Sequence, residues 1–332
     1  MKNKKLIVTL LIIGLIALFF MSLSWGSYAI SLNDVILTLV GKGEKLQDIT
    51  IWDIRLPRLM VSMLVAICLA TSGCLLQGVT KNELAEPGMI GINAGAALFV
   101  VFLISSGGAT YYDVLGDGAL LIMPVVAILG ALLSGGLIYA LSYKKGISPT
   151  RLILTGIGVN VGINAIISLY QLNMSKGDYN QVLTWISGSL WGSSWKFFYL
   201  ILPLVMVMLL LITLKVKKLD VLNLGDDIAT GLGLNVERER RILFIYAIIL
   251  AALATAVAGN IAFLGLLGPH IARQLVGPVH KKQLPVAALV SCMLILVADA
   301  ISRNLFSPIE IPVGITISII GVPYFIFLMT KE

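Results

Sequence analysis

The sequence predicts an all-α protein that crosses a membrane many times, and its composition supports that fold class in three ways. Of the 332 residues, 58% are apolar and only 12% are charged, whereas a soluble domain carries roughly a quarter of charged residues. The mean hydropathy is +0.98. Because a membrane-crossing helix takes about 20 apolar residues, the apolar fraction supplies enough for roughly nine or ten spans.

The same composition excludes other classes of protein. A membrane β-barrel would show short segments of alternating polarity, whereas the run from Phe197 to Leu214 is apolar on every face. The net charge of +7 is spread over loops between apolar runs, so it offers no basic face to nucleic acid. Cys68, Cys74 and Cys292 lie inside apolar runs, and with two histidines they predict neither a disulfide framework nor a metal site.

Clusters of charged residues, Pro and Gly divide the chain into ten candidate spans. The first contains an apolar run from Leu6 to Leu23, longer than the core of a signal peptide, which takes about 7 to 15 residues. The eighth is too short to cross a bilayer, so we expect a half-helix buried among its neighbours. The ten spans lie near residues 6–26, 58–79, 89–105, 118–142, 150–171, 197–214, 241–259, 261–271, 284–304 and 313–330.

Both termini are expected on the cytoplasmic side. With the basic N-terminus inside, seventeen Lys and Arg fall in cytoplasmic segments and seven in external ones, which accounts for all 24. This excess agrees with the positive-inside rule. No linker indicates a second domain, so residues 1–332 are expected to form a single transmembrane domain.

Charged residues collect at the predicted external ends of two spans. Arg55 and Arg58 flank Pro57, which fits the first turn of a helix. Asp299 and Arg303 lie four residues apart with the acid first, the favourable order for an ion pair on one helical face. We expect the arginines to project at the outer surface. Snorkelling towards the membrane interface is the structural alternative.

The cytoplasmic segment 219–241 is too polar to span the membrane. It predicts two short amphipathic helices, the second capped by Asn235, that form a docking element, although an ordinary solvated loop would also fit. Glycines at the end of the first helix permit a turn with positive φ. The residues assigned to docking are Leu224, Gly225, Asp226, Asp227, Gly231 and Gly233.

The fifth span carries polar residues on one face. Asn160 and Asn164 are one helical turn apart, and Ser168 follows. These side chains fit either a translocation pathway or hydrogen bonds between helices. No Gly-x-x-x-x-Gly-Lys-Ser/Thr loop occurs in the chain, so if ATP drives the protein, a partner must bind it.

Several stretches resemble one family, the FecCD-type permeases of bacterial ABC importers for iron-siderophores, haem and cobalamin. The resemblance covers nearly the whole chain in the family's order. The matching stretches are RLPR at 55–58, SGCLLQGVTKNELAEPGMIGINAGAAL at 72–98, LGDDIATGLGLNVERERR at 224–241, GNIAFLGLLGPHIAR at 259–273, ADAISR at 298–303 and EIPVGI at 310–315.

The resemblance implies a multi-pass protein of the bacterial cell membrane with the ten-helix architecture of a type II ABC importer permease. It implies a second permease subunit, with a heterodimer favoured over a homodimer, two cytoplasmic ATPase subunits and an external substrate-binding protein. Arg55, Arg58 and Arg303 match the positions that receive acidic residues of the binding protein, with Asp299 in support. The segment 224–241 matches the helices that couple the permease to the ATPase.

The resemblance also assigns an inner gate. Asn82, Leu84, Ser148 and Thr150 match two gate loops, and Glu83 replaces the family's proline in the first loop. The implied function is ATP-driven import of a ferric siderophore without chemical change, so no catalytic residue, cofactor or metal site is expected. Haem or cobalamin import by the same architecture is the alternative. An ion-coupled secondary transporter is a second alternative. Such a transporter usually needs charged residues at mid-membrane, and these are nearly absent from the sequence.

Overall fold

The computed structural model describes residues 4–107, 117–144, 148–307 and 309–331. Within these ranges every regular element is a helix. The first half contains α1 (Lys4–Ser24), α2 (Leu32–Leu39), α3 (Lys45–Asp48), a π-helical segment (Ile49–Arg55), α4 (Leu56–Thr80), α5 (Ile92–Gly107), α6 (Asp117–Ser142) and α7 (Pro149–Gln171). The second half contains α8 (Lys176–Ile186), α9 (Trp195–Thr213), α10 (Val216–Asn223), α11 (Asp226–Gly231), α12 (Val236–Ala258), α13 (Leu264–Val276), α14 (His280–Asn304) and α15 (Val313–Lys331).

Each of the ten predicted spans corresponds to a helix in this order, so the predicted class of all-α membrane protein is confirmed. In the described part of the chain, seven helical runs are long and apolar enough to cross a membrane, and two shorter apolar helices accompany them. The number of crossings and the side of each terminus stay predictions.

Helix α4 lies at the centre of the bundle. In its most apolar window 83% of the residues are buried, against 11% for α1, and α4 packs on α12, α13 and α14. Its approach to α13 is close because a Cβ added at Gly73 would lie 1.8 Å from the carbonyl oxygen of Gly265. Small residues allow such close contact between helices in a membrane.

The backbone breaks between α12 and α13. Gly259 and Phe263 both have positive φ, at 67° and 63°, and α13 then runs for only 13 residues with its first turns buried. This agrees with the predicted half-helix near 261–271, although α13 starts later and extends to Val276. Broken backbone at this position is shielded from lipid because neighbouring helices surround it.

In the polar segment 219–241, the first predicted short helix is α11 and the second is the start of α12, while α10 (Val216–Asn223) was not predicted. Gly225 precedes α11 with φ of 116°, and the side chain of Asn235 accepts a hydrogen bond from the backbone N–H of Arg238, as an N-cap does. Gly233, with φ of 80°, makes the turn after α11, whereas Gly231 is still helical. The left-handed turn therefore depends on Gly233 and not on Gly231.

Candidate functional site

A buried carboxylate organises the residues at the predicted external end of the bundle. The side chain of Asp299 has 0% exposure, and its Oδ1 and Oδ2 lie 2.9 Å from Nε of Arg58 and 3.0 Å from Nε of Arg303. The ion pair predicted within α14 is confirmed. Glu310, which the sequence analysis did not select, lies 2.8 Å from Nη1 of Arg58 through its Oε2.

Arg55 donates hydrogen bonds to backbone carbonyls at the end of α1 and just after it. Its Nη1 donates to the carbonyl of Leu23 at 2.5 Å, and its Nη2 donates to the carbonyl of Tyr28. Arg303 adds a longer hydrogen bond, of 3.4 Å, from Nη2 to the carbonyl of Ser22. The last carbonyls of a helix lack intrahelical donors and carry the negative end of its dipole, so they attract guanidinium groups.

The expectation that these arginines project at the surface is wrong for this chain. Arg55, Arg58 and Arg303 are only 5%, 8% and 8% exposed. A buried guanidinium must be paired to offset its desolvation, and the Asp299 carboxylate and the α1 carbonyls supply those partners. With Glu310 included, three cations meet two carboxylates, so the cluster keeps an excess of positive charge. Its contact with a binding protein stays a prediction.

The two predicted gate loops meet in one cleft. A cavity of about 460 Å³ is lined by Asn82 and Leu84 from the first loop and by Thr150 from the start of α7. Ser148 lies beside it as the N-cap residue of α7. The side-chain Oδ1 of Asn82 accepts a hydrogen bond of 2.9 Å from the N–H of Leu84, which fixes the turn at the head of the loop.

Buried polar groups tie the first gate loop to the break between α12 and α13. Glu86 is 4% exposed, and its carboxylate accepts a hydrogen bond from the backbone N–H of Phe263. Asn93 donates to Oδ1 of Asn260 at 2.8 Å and accepts from Thr255 at 3.0 Å. This network was not predicted from the sequence. The feature that could have indicated it is an acid and an amide within a long apolar region.

The polar face of α7 is open in the isolated chain. Asn164 donates to Oδ1 of Asn160 at 2.8 Å, and Ser168 donates to the carbonyl of Asn164 at 2.9 Å. Both Asn164 and Ser168 are exposed, and a Cβ added at Gly158 or Gly162 would meet no atom within 4 Å. Asn160 also donates a hydrogen bond of 3.3 Å to the carbonyl of Gly88, outside α7.

The predicted coupling segment, residues 224–241, exposes apolar side chains, and ion pairs join it to neighbouring helices. Leu224, Ile228 and Leu232 are more than half exposed. Asp227, in the first turn of α11, is also outside the buried core. Asp226 lies 2.7 Å from Nζ of Lys81 and 2.8 Å from Nη2 of Arg240.

Those two cations act on the ionisation of Asp226. Desolvation acts to raise the pKa of its carboxyl group, but the hydrogen bonds from Lys81 and Arg240 outweigh it and lower the pKa below the ordinary value. Asp226 therefore stays ionised and fixes α11 to the end of α4. Among the described residues, no group of three or more His, Cys, Asp or Glu is placed to hold a metal ion.

Comparison with known proteins finds a matching family model and relatives of similar length. The model of the FecCD transport family matches residues 14–331. The chain is 45% identical over 332 residues to the iron(3+)-hydroxamate import system permease protein FhuG of Bacillus subtilis (strain 168), covering 99% of this chain and 98% of the relative. It is 36% identical to the Fe(3+)-citrate import system permease protein YfmE of the same organism, over 100% of this chain and 97% of the relative.

A solved structure has the same fold. It is an inward-facing conformation of a metal-chelate type ABC transporter, and it matches with a TM-score of 0.85 at 28% identity, covering 98% of this chain and 99% of that one.

Proposed function

The chain belongs to the FecCD transport family, and on that premise we propose that it is the permease subunit of an ATP-driven importer for a ferric siderophore. The 45% identity to a hydroxamate permease along almost the full length of both chains carries the proposal. It makes ferric hydroxamates the first cargo to test, with ferric citrate next. The permease performs no reaction on its cargo; it alternates between states that open to opposite sides of the bacterial cell membrane.

Two cytoplasmic ATPase subunits supply the energy, one for each permease. The surface that receives an ATPase is α11 with its flanking residues, where Leu224, Ile228 and Leu232 are exposed. Exposed leucine and isoleucine side chains beside water fit a groove on a partner protein. The ion pairs of Asp226 hold α11 against the end of α4. A force on α11 is therefore transmitted to the helix that precedes the gate loop.

A second permease covers the open face of α7. In that helix only 22% of the most apolar window is buried, and the space beside Gly158 and Gly162 admits another helix at close range. Asn160, Asn164 and Ser168 would then line a pathway between the two subunits. We favour a heterodimer, as in many siderophore importers of this family. Copurification of two differently tagged copies of this chain would instead identify a homodimer.

The external cluster receives the substrate-binding protein. Glu310 is 36% exposed and pairs with the more deeply buried Arg58. An acidic side chain of the binding protein can replace Glu310 on Arg58, while Arg55 and Arg303 keep the site positive. Asp299 holds Arg58 and Arg303 in place.

Uptake by a reconstituted complex tests the proposal. Proteoliposomes contain this permease, its partner permease and the ATPase, and the binding protein is added outside with radioactive ferric hydroxamate, ferric citrate, haem or cobalamin. We expect uptake of a ferric siderophore that requires all components. Uptake of haem or cobalamin with no siderophore uptake would contradict the proposed cargo.

A further inference from the structure

The first gate loop carries two charged residues that flank the gate residue Asn82. Lys81 ends α4 in a left-handed conformation, with φ of 51°, and its Nζ lies 2.7 Å from Oδ1 of Asp226 in α11. Glu83 pairs in another direction: its Oε1 lies 3.0 Å from Nη2 of Arg273 in α13. The loop is therefore bound on one side to the coupling segment and on the other to the half-helix.

A second contact supports the Glu83 pair. Oε2 of Glu83 lies 3.7 Å from Nδ1 of His270, one turn before Arg273 on α13. Nε2 of that histidine is 2.8 Å from Nε2 of Gln274. Both oxygens of the Glu83 carboxylate thus face α13, which fixes the direction of the side chain.

We propose that Lys81 and Glu83 form a positioning clamp that makes the gate residue Asn82 follow α11 and α13 during transport. This inference rests on the proposed function, since it assigns a role to the gate of an importer. Asn82 has little freedom of its own, because its side chain closes the turn to Leu84. A shift of either helix is passed to it through an ion pair.

The clamp is partly exposed, so its ion pairs are not needed to hold the fold together. The side chains of Glu83 and Arg273 are each 39% exposed, and those of Lys81 and Asp226 are 33% and 46% exposed. Partly hydrated ion pairs contribute little to folding stability, so a charge reversal here should alter the coupling without unfolding the protein. A cavity of about 570 Å³, lined among others by Lys81, Glu83 and Arg273, leaves the loop room to move.

Charge reversal separates a positional role from general damage. Glu83→Arg places a cation opposite Arg273, and Arg273→Glu places two anions together; the double variant restores an ion pair with exchanged signs. Lys282→Glu, at an exposed lysine elsewhere on the predicted cytoplasmic surface, is the matched control for a change of charge. Uptake and hydrolysis are measured with Asn82 intact, and for the labelling measurement alone each variant also carries Asn82→Cys in a background without Cys68, Cys74 and Cys292.

The measurements are ATP-driven uptake of a ferric hydroxamate, ATP hydrolysis, and the labelling rate of the cysteine at 82 without nucleotide and in the ATP-trapped state. We expect each single reversal to lower the ratio of uptake to hydrolysis, and the difference in labelling between states, about fivefold or more, the lower range of usual coupling between sites. The double variant should recover both to within about twofold of the parent without charge reversal.

Two results would overturn the clamp: single reversals that leave both quantities at the level of Lys282→Glu, or a double variant that is folded but recovers neither. Monodisperse elution of every variant in detergent establishes folding. If the parent with Asn82 intact takes up no siderophore although the complex assembles, the proposed cargo fails. If the parent transports and Glu83→Arg behaves like it, only the clamp fails.

Discussion

Removal of the buried carboxylate at the external cluster should destabilise the fold strongly. Asp299 is fully buried, and its two oxygens lie 2.9 and 3.0 Å from nitrogens of Arg58 and Arg303. Loss of one partner of a buried ion pair costs about 3–5 kcal/mol because the remaining charge stays uncompensated. Arg58 would keep Glu310, but Arg303 would lose its carboxylate, so we expect Asp299→Ala to lose about 3–5 kcal/mol.

Glu310→Ala is the matched control, since it removes a carboxylate from the same cluster. Glu310 is 36% exposed, and the loss of an exposed ion pair costs about 0–1 kcal/mol. Asp299→Asn keeps the shape and removes the charge, so it should resemble Asp299→Ala more than the wild type.

The assay is equilibrium unfolding of purified permease in mixed micelles, followed by the loss of helical circular dichroism. Equal losses of unfolding free energy for Asp299→Ala and Glu310→Ala would show that burial does not decide how much each carboxylate stabilises the fold. Wild-type stability of Asp299→Asn would show that the charge is not what stabilises the cluster.

Two further predictions concern the coupling segment and α7. Gly233→Val should weaken capture of the ATPase on immobilised permease, because a branched residue at φ of 80° is strained by about 1–2 kcal/mol. Gly231→Val, at a helical position, should have a smaller effect. A larger effect of Gly231→Val than of Gly233→Val would reject the assigned turn. In a background without native cysteines, Asn164→Cys should react with a water-soluble thiol reagent in at least one transport state. A cysteine restored at buried position 68 is the control and should not react. Protection of position 164 in every state of the complex would show that Asn164 makes a contact between helices and does not line a pathway.

The sequence allowed the spans and the caps to be predicted because each depends on local information. A membrane helix is a continuous apolar run, and the turn at Gly233 and the cap at Asn235 depend on residues within one helical turn. The half-helix was predictable for the same reason, since its apolar run is too short to cross a bilayer. The break before α13 could be inferred, but not the positive φ at Phe263.

The burial of the arginines could not be predicted in this way. Arg55 binds the carbonyls of Leu23 and Tyr28, and Arg58 binds Asp299, 241 residues further along the chain. A sequence pattern indicates that cations lie near a membrane surface, but not which distant acceptors surround them. The contact of Glu83 with Arg273 is hidden for the same reason, because the gate loop and α13 meet only after α4 and α13 have packed.

The source of energy for uptake distinguishes an ATP-driven importer from an ion-coupled transporter. Proteoliposomes with both permeases and the ATPase are loaded with ATP or a non-hydrolysable analogue, with and without ionophores that collapse proton and sodium gradients, and radioactive ferric hydroxamate is supplied with the binding protein. We predict uptake that follows ATP hydrolysis and persists with the ionophores. Uptake that continues with the analogue and stops with the ionophores would contradict the account and identify an ion-coupled transporter.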